Sequence, residues 1–244
     1  MKNTLSCHPY ILLIACCMLA AFAARAQCAS CSQLNELSNS IRDGAISKNA
    51  ALKKLQELLP QAAAAWLRNG GNATDTQLHF PLQGYNKKAM GGRNGSGYLA
   101  SGYDYFAGNR HGGHPAHDIF IADKDQDGLD DATGKPVNVL SATYGIVIAA
   151  EKNWLPGSTL RGGNYIWIYS PATRSLFYYA HNSRVLVTPG AIVKAGQVIA
   201  TVGRTGFNAS KKRSPTHLHF MRLRLDSNCY PHPADTYAAL LTAK

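Results

Sequence analysis

The chain has 244 residues, of which 45% are apolar and 16% charged, and its formal net charge is +11 at pH 7. This length is enough for one sizeable core plus an extension. The basic charge suits a cell-wall glycan, a membrane surface or nucleic acid, or simply a solvated basic surface. No nucleic-acid recognition motif is present, so we exclude nucleic acid as a partner.

The first segment, residues 1–26, resembles an export signal. Lys2 supplies a positive start, an apolar run follows, and Ala24-Arg25-Ala26 is a cleavage motif. The apolar run is too short for a comfortable membrane span, so we expect a periplasmic or secreted protein without stable membrane insertion after cleavage. The alternative is a lipoprotein anchored at Cys16, because the four residues ending there resemble a lipobox.

Three of the six cysteines remain after signal cleavage, namely Cys28, Cys31 and Cys229. In an oxidising compartment, a disulfide between Cys229 and one of the first two would tie the chain ends together. The Cys28-x-x-Cys31 spacing is also typical of a redox pair or of half a zinc site. It lies outside any strand–helix unit, so we expect the disulfide to Cys229 or inert thiols.

Residues 27–75 are predicted to form a short helical region. Apolar residues recur there at helical spacing, at Leu34, Leu37, Ile41, Leu52, Leu55 and Leu59. Asp43-Gly44 is a predicted turn between two helices, and Gly70-Gly71 is a predicted stop. We expect an amphipathic pair of helices packed on the main domain. A prosegment that covers the active site until it is removed is the alternative.

Residues 76–244 change to short runs that are rich in Gly, Tyr, Val, Ile and Thr. Eight of these runs predict strands, at residues 119–121, 137–139, 145–148, 165–169, 176–179, 191–193, 197–202 and 217–223. The Gly-rich residues 84–110 are predicted to be a loop over one rim of the sheet, and residues 235–244 a short helix. Many short strands with few helices predict an all-β fold, a compact sandwich or barrel-like domain.

Thr216-His217-Leu218-His219-Phe220 has the alternating character of a strand. Side chains two residues apart on a strand point to the same face, so His217 and His219 are predicted to lie side by side. Two imidazoles on a rigid strand suit a metal ligand and a neighbouring acid or base.

A hydrolytic zinc site needs three protein ligands and one open position for water. His114, Asp118 and His219 can supply two imidazoles and one carboxylate, with His217 and His181 nearby as bases. His111 and His117 lie in the same upstream cluster, so ligand pairs that use either of them stay open. An extended segment would turn His117 away from Asp118.

Five short motifs in order carry a family resemblance: His114-Pro-Ala-His-Asp118, Tyr179-Ala-His181, Ala195-Gly-Gln-Val-Ile199, Gly203-Arg-Thr-Gly206 and His217-Leu-His219-Phe220. Residues 84–223 thereby resemble the LytM/lysostaphin-type zinc metallopeptidases. The resemblance implies a duplicated hybrid motif fold, one Zn²⁺ per chain held by His114, Asp118 and His219, and two catalytic histidines, His181 and His217. The sequence departs from the family pattern at Ala116, Thr216 and Met221. These departures concern the shape of the groove and the choice of substrate more than catalysis.

The resemblance implies a zinc-dependent endopeptidase that hydrolyses stem peptides or cross-bridges of peptidoglycan, with residues 76–244 as its catalytic domain. We expect a monomer whose partner is its peptidoglycan substrate. The alternative is a non-catalytic peptidoglycan-binding or activator protein with the same fold. A protein of that kind would be expected to have lost metal ligands, whereas this sequence has all three, His114, Asp118 and His219.

An acidic stretch, residues 123–131, resembles the opening of an EF-hand calcium loop. Asp123, Asp125 and Asp127 occupy the first, third and fifth positions, and Gly128 the sixth. The twelfth position is Gly134 instead of Glu, so the bidentate ligand is missing. We therefore expect a solvated acidic turn, with Ca²⁺ at the three aspartates as the alternative.

Overall fold

The computed structural model describes residues 28–244. The predicted signal peptide, residues 1–26, and the alternative anchor Cys16 lie outside them. Within the described residues, no helix combines the length and the apolar character needed to cross a bilayer. The helices are α1 (Ala29–Arg42), α2 (Lys48–Arg68) and α3 (Tyr237–Leu241). The strands are β1 (Ala116–Phe120), β2 (Asn138–Leu140), β3 (Gly145–Glu151), β4 (Tyr165–Ser170), β5 (Ser175–Ala180), β6 (Asn182–Val185), β7 (Ile192–Val193), β8 (Val198–Val202), β9 (His217–Leu225) and β10 (Pro231–Pro233).

Helices α1 and α2 form a hairpin because each has one apolar stripe at helical spacing. The buried apolar side chains include Leu34, Leu37 and Ile41 on α1 and Leu55, Leu58, Leu59, Ala62 and Trp66 on α2. The side chain of Ser47 caps α2 by accepting a hydrogen bond from the amide of Ala50. The predicted helical pair therefore packs against the main domain as a short N-terminal layer.

The strands form two antiparallel sheets. The larger sheet has the order β1-β9-β5-β4-β3-β7, and the short strand β10 also pairs with β9, near its C-terminal end. The smaller sheet has the order β2-β8-β6. Strand β9 lies next to the edge strand β1 and has three partners, because it pairs with β1, β5 and β10. The functional motif that begins at His217 therefore lies on the most extensively paired strand of that sheet.

Alternation along the strands divides the core into two layers. On β4 and β5, Ile166, Ile168, Phe177 and Tyr179 face the smaller sheet, whereas Trp167 and Leu176 face the helical hairpin. On β9, Leu218 and Phe220 join the layer between the sheets, and Met221 and Leu223 join the layer under the helices. His217 and His219 are in phase with Met221, so the helical hairpin and the histidines share one face of the sheet.

The predicted all-β fold with a helical N-terminal region is confirmed. The described strands form two open sheets, so the barrel-like alternative is wrong. Strands β6 and β10 were not predicted, because Asn182–Val185 is polar and Pro231–Pro233 carries two prolines. The predicted rim loop, residues 84–110, contains three short 3₁₀ turns and pairs with the edge of the sheet at Met90 and Leu99.

The expected disulfide to Cys229 is wrong in this structure. Cys28 is joined to Cys31, and Cys229 is half-buried and outside any disulfide among the described residues. Cys28 is the residue before α1, and Cys31 lies in the first helical turn, so their Cα atoms are 5.2 Å apart. That separation lies within the range that a disulfide spans.

Candidate metal and catalytic site

The pairing of β1 with β9 creates the candidate site. Asp118 lies directly opposite His219 in the antiparallel register, so their side chains project from the same face. His114 lies just ahead of β1, where it exchanges two backbone hydrogen bonds with Leu99 at 2.6 and 2.8 Å. Two strands and the rim segment thus bring together residues that are about a hundred positions apart in the sequence.

His114, Asp118 and His219 form one compact cluster. The Oδ1 atom of Asp118 lies 3.2 Å from Nε2 of His114 and 3.1 Å from Nδ1 of His219. The donor atoms of the three side chains all lie within 4.8 Å of one another. On the other side of its ring, His114 donates from Nδ1 to the carbonyl of Gly97 at 2.9 Å, which leaves Nε2 to face the cluster.

The rings of His181 and His217 lie beside this cluster, and that of His181 is 5.6 Å from the ring of His219. Nδ1 of His181 lies 2.8 Å from the carbonyl of Thr205, and Nδ1 of His217 lies 2.7 Å from the carbonyl of Pro215. A carbonyl accepts only, so each Nδ1 carries a proton, and in the neutral ring Nε2 is the nitrogen that holds the lone pair. The two rings are 4.9 Å apart, and Nε2 of His217 is 3.6 Å from Oδ1 of Asp118.

The position of His181 depends on an unusual backbone. His181 has φ of +68°, in the left-handed region that side chains rarely adopt, and its amide donates to the carbonyl of Gly162. Gly206, with φ of +116°, leaves room for the ring, since a Cβ there would lie 2.8 Å from Nδ1 of His181. Strain of this kind clusters at functional sites and is held by the surrounding structure.

Burial and the neighbouring charges set the protonation of the cluster. Burial alone would raise the pKa of Asp118, but the hydrogen bonds from His114 and His219 outweigh it, so the pKa lies well below the usual value. The hydrogen bond to Asp118 raises the pKa of His114, and burial lowers the pKa of His219. Burial, together with the nearby His217 and His219, lowers the pKa of His181 well below 6.5.

The other upstream histidines lie apart from the cluster. His117 is buried on the opposite face of β1, where its Nε2 lies 2.9 Å from Oδ1 of Asp235. His111 has its ring edge-on to Tyr103 at 4.8 Å, and its Nδ1 faces the carbonyl of Gly112. In the structure, therefore, His114 rather than either neighbour shares the cluster with Asp118.

Two residues that sequence reasoning missed lie next to the site. The ring of Tyr178 stands edge-on to His219, with centroids 6.0 Å apart. Arg161 donates a hydrogen bond from its guanidinium to the carbonyl of His111 at 2.6 Å. Tyr178 is two positions before Ala180, the residue opposite His219, so strand alternation could have placed it on this face. Arg161 lies in a Gly-rich loop without periodicity, which offered no such signal.

The acidic loop forms a separate group. Carboxylate oxygens of Asp123, Asp125 and Asp131 lie within 4.8 Å of one another, whereas Asp127 is not part of this group. Asp123 also accepts a hydrogen bond from the hydroxyl of Thr216, the residue before His217. The group therefore contains Asp131 instead of Asp127, the aspartate at the fifth position of the EF-hand-like pattern.

The chemistry of the first cluster fits zinc. Imidazole nitrogens and a carboxylate oxygen are the donors that Zn²⁺ takes in catalytic sites, where three protein ligands leave one position open. The three donor atoms converge, and the backbone carbonyl behind His114 orients its ring as metal-binding histidines require.

A model of peptidase family M23 matches residues 124–231. This range contains His181, His217 and His219, while His114 and Asp118 lie just ahead of it. The murein hydrolase activator NlpD of Escherichia coli K12 is 38% identical over 93 residues, which cover 38% of this chain and 21% of that protein. The chain therefore spans about a fifth of the length of the curated relatives that it matches.

Two solved structures are similar to this fold. The catalytic domain of lysostaphin from Staphylococcus simulans is 28% identical, with a TM-score of 0.39 over 59% of this chain and 90% of that domain. A zinc-containing peptidase from Vibrio cholerae is 23% identical, with a TM-score of 0.43 over 70% of this chain and 41% of that protein.

Proposed function

We propose that this chain is a zinc-dependent endopeptidase that cleaves the peptides of peptidoglycan, a function supported by the match of residues 124–231 to the model of peptidase family M23. His114, Asp118 and His219 are the proposed zinc ligands, and His181 and His217 the proposed catalytic residues. Residues 76–244 are the proposed catalytic domain. A substrate in the cell wall requires export, which fits the signal-like sequence of residues 1–26.

One observation carries this proposal: five polar side chains from three separate motifs lie together, with the His181 ring 4.9 Å from that of His217 and 5.6 Å from that of His219. The two proposed catalytic rings each have Nδ1 tied to a backbone carbonyl and Nε2 free. The three proposed ligands supply a complete donor set. A protein that had kept only the fold would have no need of both features together.

Zinc, when bound, polarises the scissile carbonyl and acidifies a water molecule. The side chains of the protein would carry out the proton transfers. Nε2 of one of the two histidines, His181 or His217, takes the proton of the attacking water. The other, in its protonated form, stabilises the negative charge on the carbonyl oxygen and then gives its proton to the leaving amine.

The pKa of His181, lowered by burial, keeps its ring neutral near pH 7 and therefore able to accept a proton. Its Nδ1–H stays on the carbonyl of Thr205 throughout, so that the proton transfers occur at Nε2 alone. The short distance between the two rings lets both act on one substrate bond.

The test is release of new amino groups from purified, cross-linked peptidoglycan. We expect release with zinc, none with a chelator, and none from His219→Ala, which loses a proposed ligand. His232→Ala is the matched control, because His232 is exposed and pairs with Asp226 away from the site. A zinc-loaded, folded protein that releases no amino groups would contradict the proposal.

The second candidate is a non-catalytic activator of murein hydrolases. The observation that favours it is the similarity to NlpD, which is named as such an activator. An activator of this kind would stimulate a separate wall hydrolase equally well as wild type and as His219→Ala. Loss of stimulation together with loss of zinc would instead favour the peptidase.

A further inference from the structure

A cavity of about 80 Å³ lies between α1 and the sheet, on the same face as the candidate metal cluster. Its wall combines aromatic rings with two guanidinium groups, from Arg42, Tyr105, Arg161, Tyr165, Trp167 and Tyr178. The aromatic rings make much of this wall apolar, and a charge interaction is stronger beside an apolar wall than in open water. None of the residues that line it is acidic.

The cavity adjoins the cluster. Tyr178 and Met221 line it, and these two residues lie opposite each other on β5 and β9. His219 is two positions before Met221 on the same face of β9, a separation of roughly 7 Å. A peptide bound in extended form across the cluster would therefore reach the cavity within about two residues of the cleaved bond.

The two arginines of the cavity differ in their partners. Arg42 is already neutralised, with Nη1 2.9 Å from Glu151 and Nε 2.7 Å from Asp43. Arg161 forms no ion pair with any residue of the range 28–244, and its single side-chain hydrogen bond there goes to the carbonyl of His111. The guanidinium of Arg161 thus has donors left for an anion from outside.

Helix α1 completes this cavity. Ser38, Ile41 and Arg42 form one wall, and Arg42 also donates to the hydroxyl of Tyr165 at 3.3 Å. Gly108, on the opposite segment, lies so close to the carbonyl of Ile41 that a Cβ would clash with it. The helical hairpin is therefore part of the wall beside the metal cluster.

We propose that this cavity is a subsite for a free carboxylate of the substrate peptide, and that Arg161 is the residue that binds it. A guanidinium offers two parallel N–H groups to a carboxylate, and such charge-assisted pairs are among the strongest hydrogen bonds. The preferred substrate would be a stem peptide with a free carboxylate within about two residues of the cleaved bond, over the same peptide with a carboxamide. This inference rests on the proposed peptidase function.

The test uses two peptides that differ only in a carboxylate or a carboxamide at that position. Full-length mature protein would be assayed as wild type, Arg161→Gln, Arg161→Lys and Arg184→Gln. Arg184→Gln is the charge-matched control, because Arg184 is exposed on β6 in the smaller sheet. Cleavage by the zinc-loaded protein and binding to the zinc-free protein, measured by calorimetry, are the two readouts.

We expect the wild type to favour the carboxylate peptide, and Arg161→Gln to reduce that preference about ten- to a hundredfold in both readouts. Arg161→Lys should retain part of the preference, and Arg184→Gln all of it. Zinc-free protein is used for binding because the metal could itself attract a carboxylate. Melting temperatures confirm that each variant is folded.

The two readouts separate this inference from the proposed function. An Arg161-dependent carboxylate preference in binding, without any cleavage, would support the subsite and contradict the peptidase. Cleavage or binding with equal preference for the two peptides, or with a preference that Arg161→Gln leaves intact, would overturn the subsite. Absence of binding to wild-type protein at millimolar peptide would also overturn it.

Discussion

Individual side chains in the candidate site are oriented by the atoms that face away from it. Carbonyl groups of Gly97, Thr205 and Pro215 hold the outward nitrogens of His114, His181 and His217. Each ring therefore presents Nε2 to the site without help from another side chain. Backbone carbonyls are set by the fold, so the tautomers are fixed before any metal or substrate binds.

His217 should be required for turnover and dispensable for metal binding. His217→Ala is expected to retain zinc, because His114, Asp118 and His219 remain, and to lose about 10²- to 10⁴-fold in activity. Bound zinc, measured by metal analysis, and kcat/KM on a cross-linked peptide check this, with His232→Ala as control. A His217→Ala protein that still cleaves at the wild-type rate would refute the role of His217.

His181 should make the stability of the zinc-free protein depend on pH. Its pKa is lowered in the fold, chiefly by burial, while in the unfolded chain it is about 6.5. Below that pH, the unfolded chain binds a proton that the folded chain does not, so the unfolding free energy falls as the pH falls. Above it, both states are neutral and the effect vanishes.

Urea unfolding at pH of about 5.5 and about 7.5 measures this effect, which is at most about 1.4 kcal/mol per pH unit. In His181→Gln the loss of stability on acidification should be smaller than in the wild type. Equal losses in the two proteins would show that His181 takes up its proton in the folded state as readily as in the unfolded chain.

At the scale of elements, the pairing of β1 with β9 and the packing of the helical hairpin determine the site. The antiparallel register places Asp118 opposite His219, so a shift of one residue would turn one of them to the other face. The hairpin packs on the face that carries the histidines and is tied to β3 by a hydrogen bond from the amide of Ala150 to Asn35 at 3.0 Å. The hairpin thus shares the main hydrophobic core. A prosegment that is removed without cost to the rest of the fold would not be expected to do so.

The helical hairpin should therefore contribute to global stability. Leu55 on α2 is 1% exposed, and Leu55→Ala is expected to lower the free energy of unfolding by about 2–5 kcal/mol. Leu67 on the same helix is 53% exposed, so Leu67→Ala should change it by less than about 0.5 kcal/mol. Urea denaturation measures both. Similar small effects of the two substitutions would mean that the hairpin unfolds independently.

At the scale of the whole molecule, the larger sheet separates two apolar layers, one against the smaller sheet and one against the helices. The site lies on the helical side of that sheet, next to the cavity closed by α1. Because the site residues come from distant parts of the chain, a ligand that binds all three cluster members stabilises the whole fold.

Zinc should raise the melting temperature of the zinc-free protein. At a zinc concentration one hundred times the dissociation constant, mass action adds about 2.7 kcal/mol of stability. Differential scanning fluorimetry with and without zinc measures the shift, and His219→Ala, with only two of the cluster residues left, should show little of it. An equal shift in the two proteins would place the zinc elsewhere.

The same melting-temperature measurement, with calcium added at constant zinc, tests the acidic loop separately.

The sequence alone determined the features that depend on neighbours along the chain. Alternation placed His217 and His219 on one face of a strand, and helical spacing predicted the N-terminal pair of helices. The order of short motifs indicated a resemblance to a family of zinc peptidases, and a model of peptidase family M23 matches residues 124–231. The two periodic features follow from the fixed repeat of a strand or a helix, and the motifs are short runs of neighbouring residues, so all of them can be recognised without knowing what each element packs against.

Only the tertiary structure decided what meets across the fold. It joined Cys28 to Cys31, grouped Asp131 instead of Asp127 with Asp123, and brought Arg161 to the cavity beside the cluster. Strand β6 belongs here too, because its polar sequence shows no signal of a strand. Contacts between distant segments depend on how the apolar surfaces of the whole chain pack together, and no local repeat specifies that arrangement.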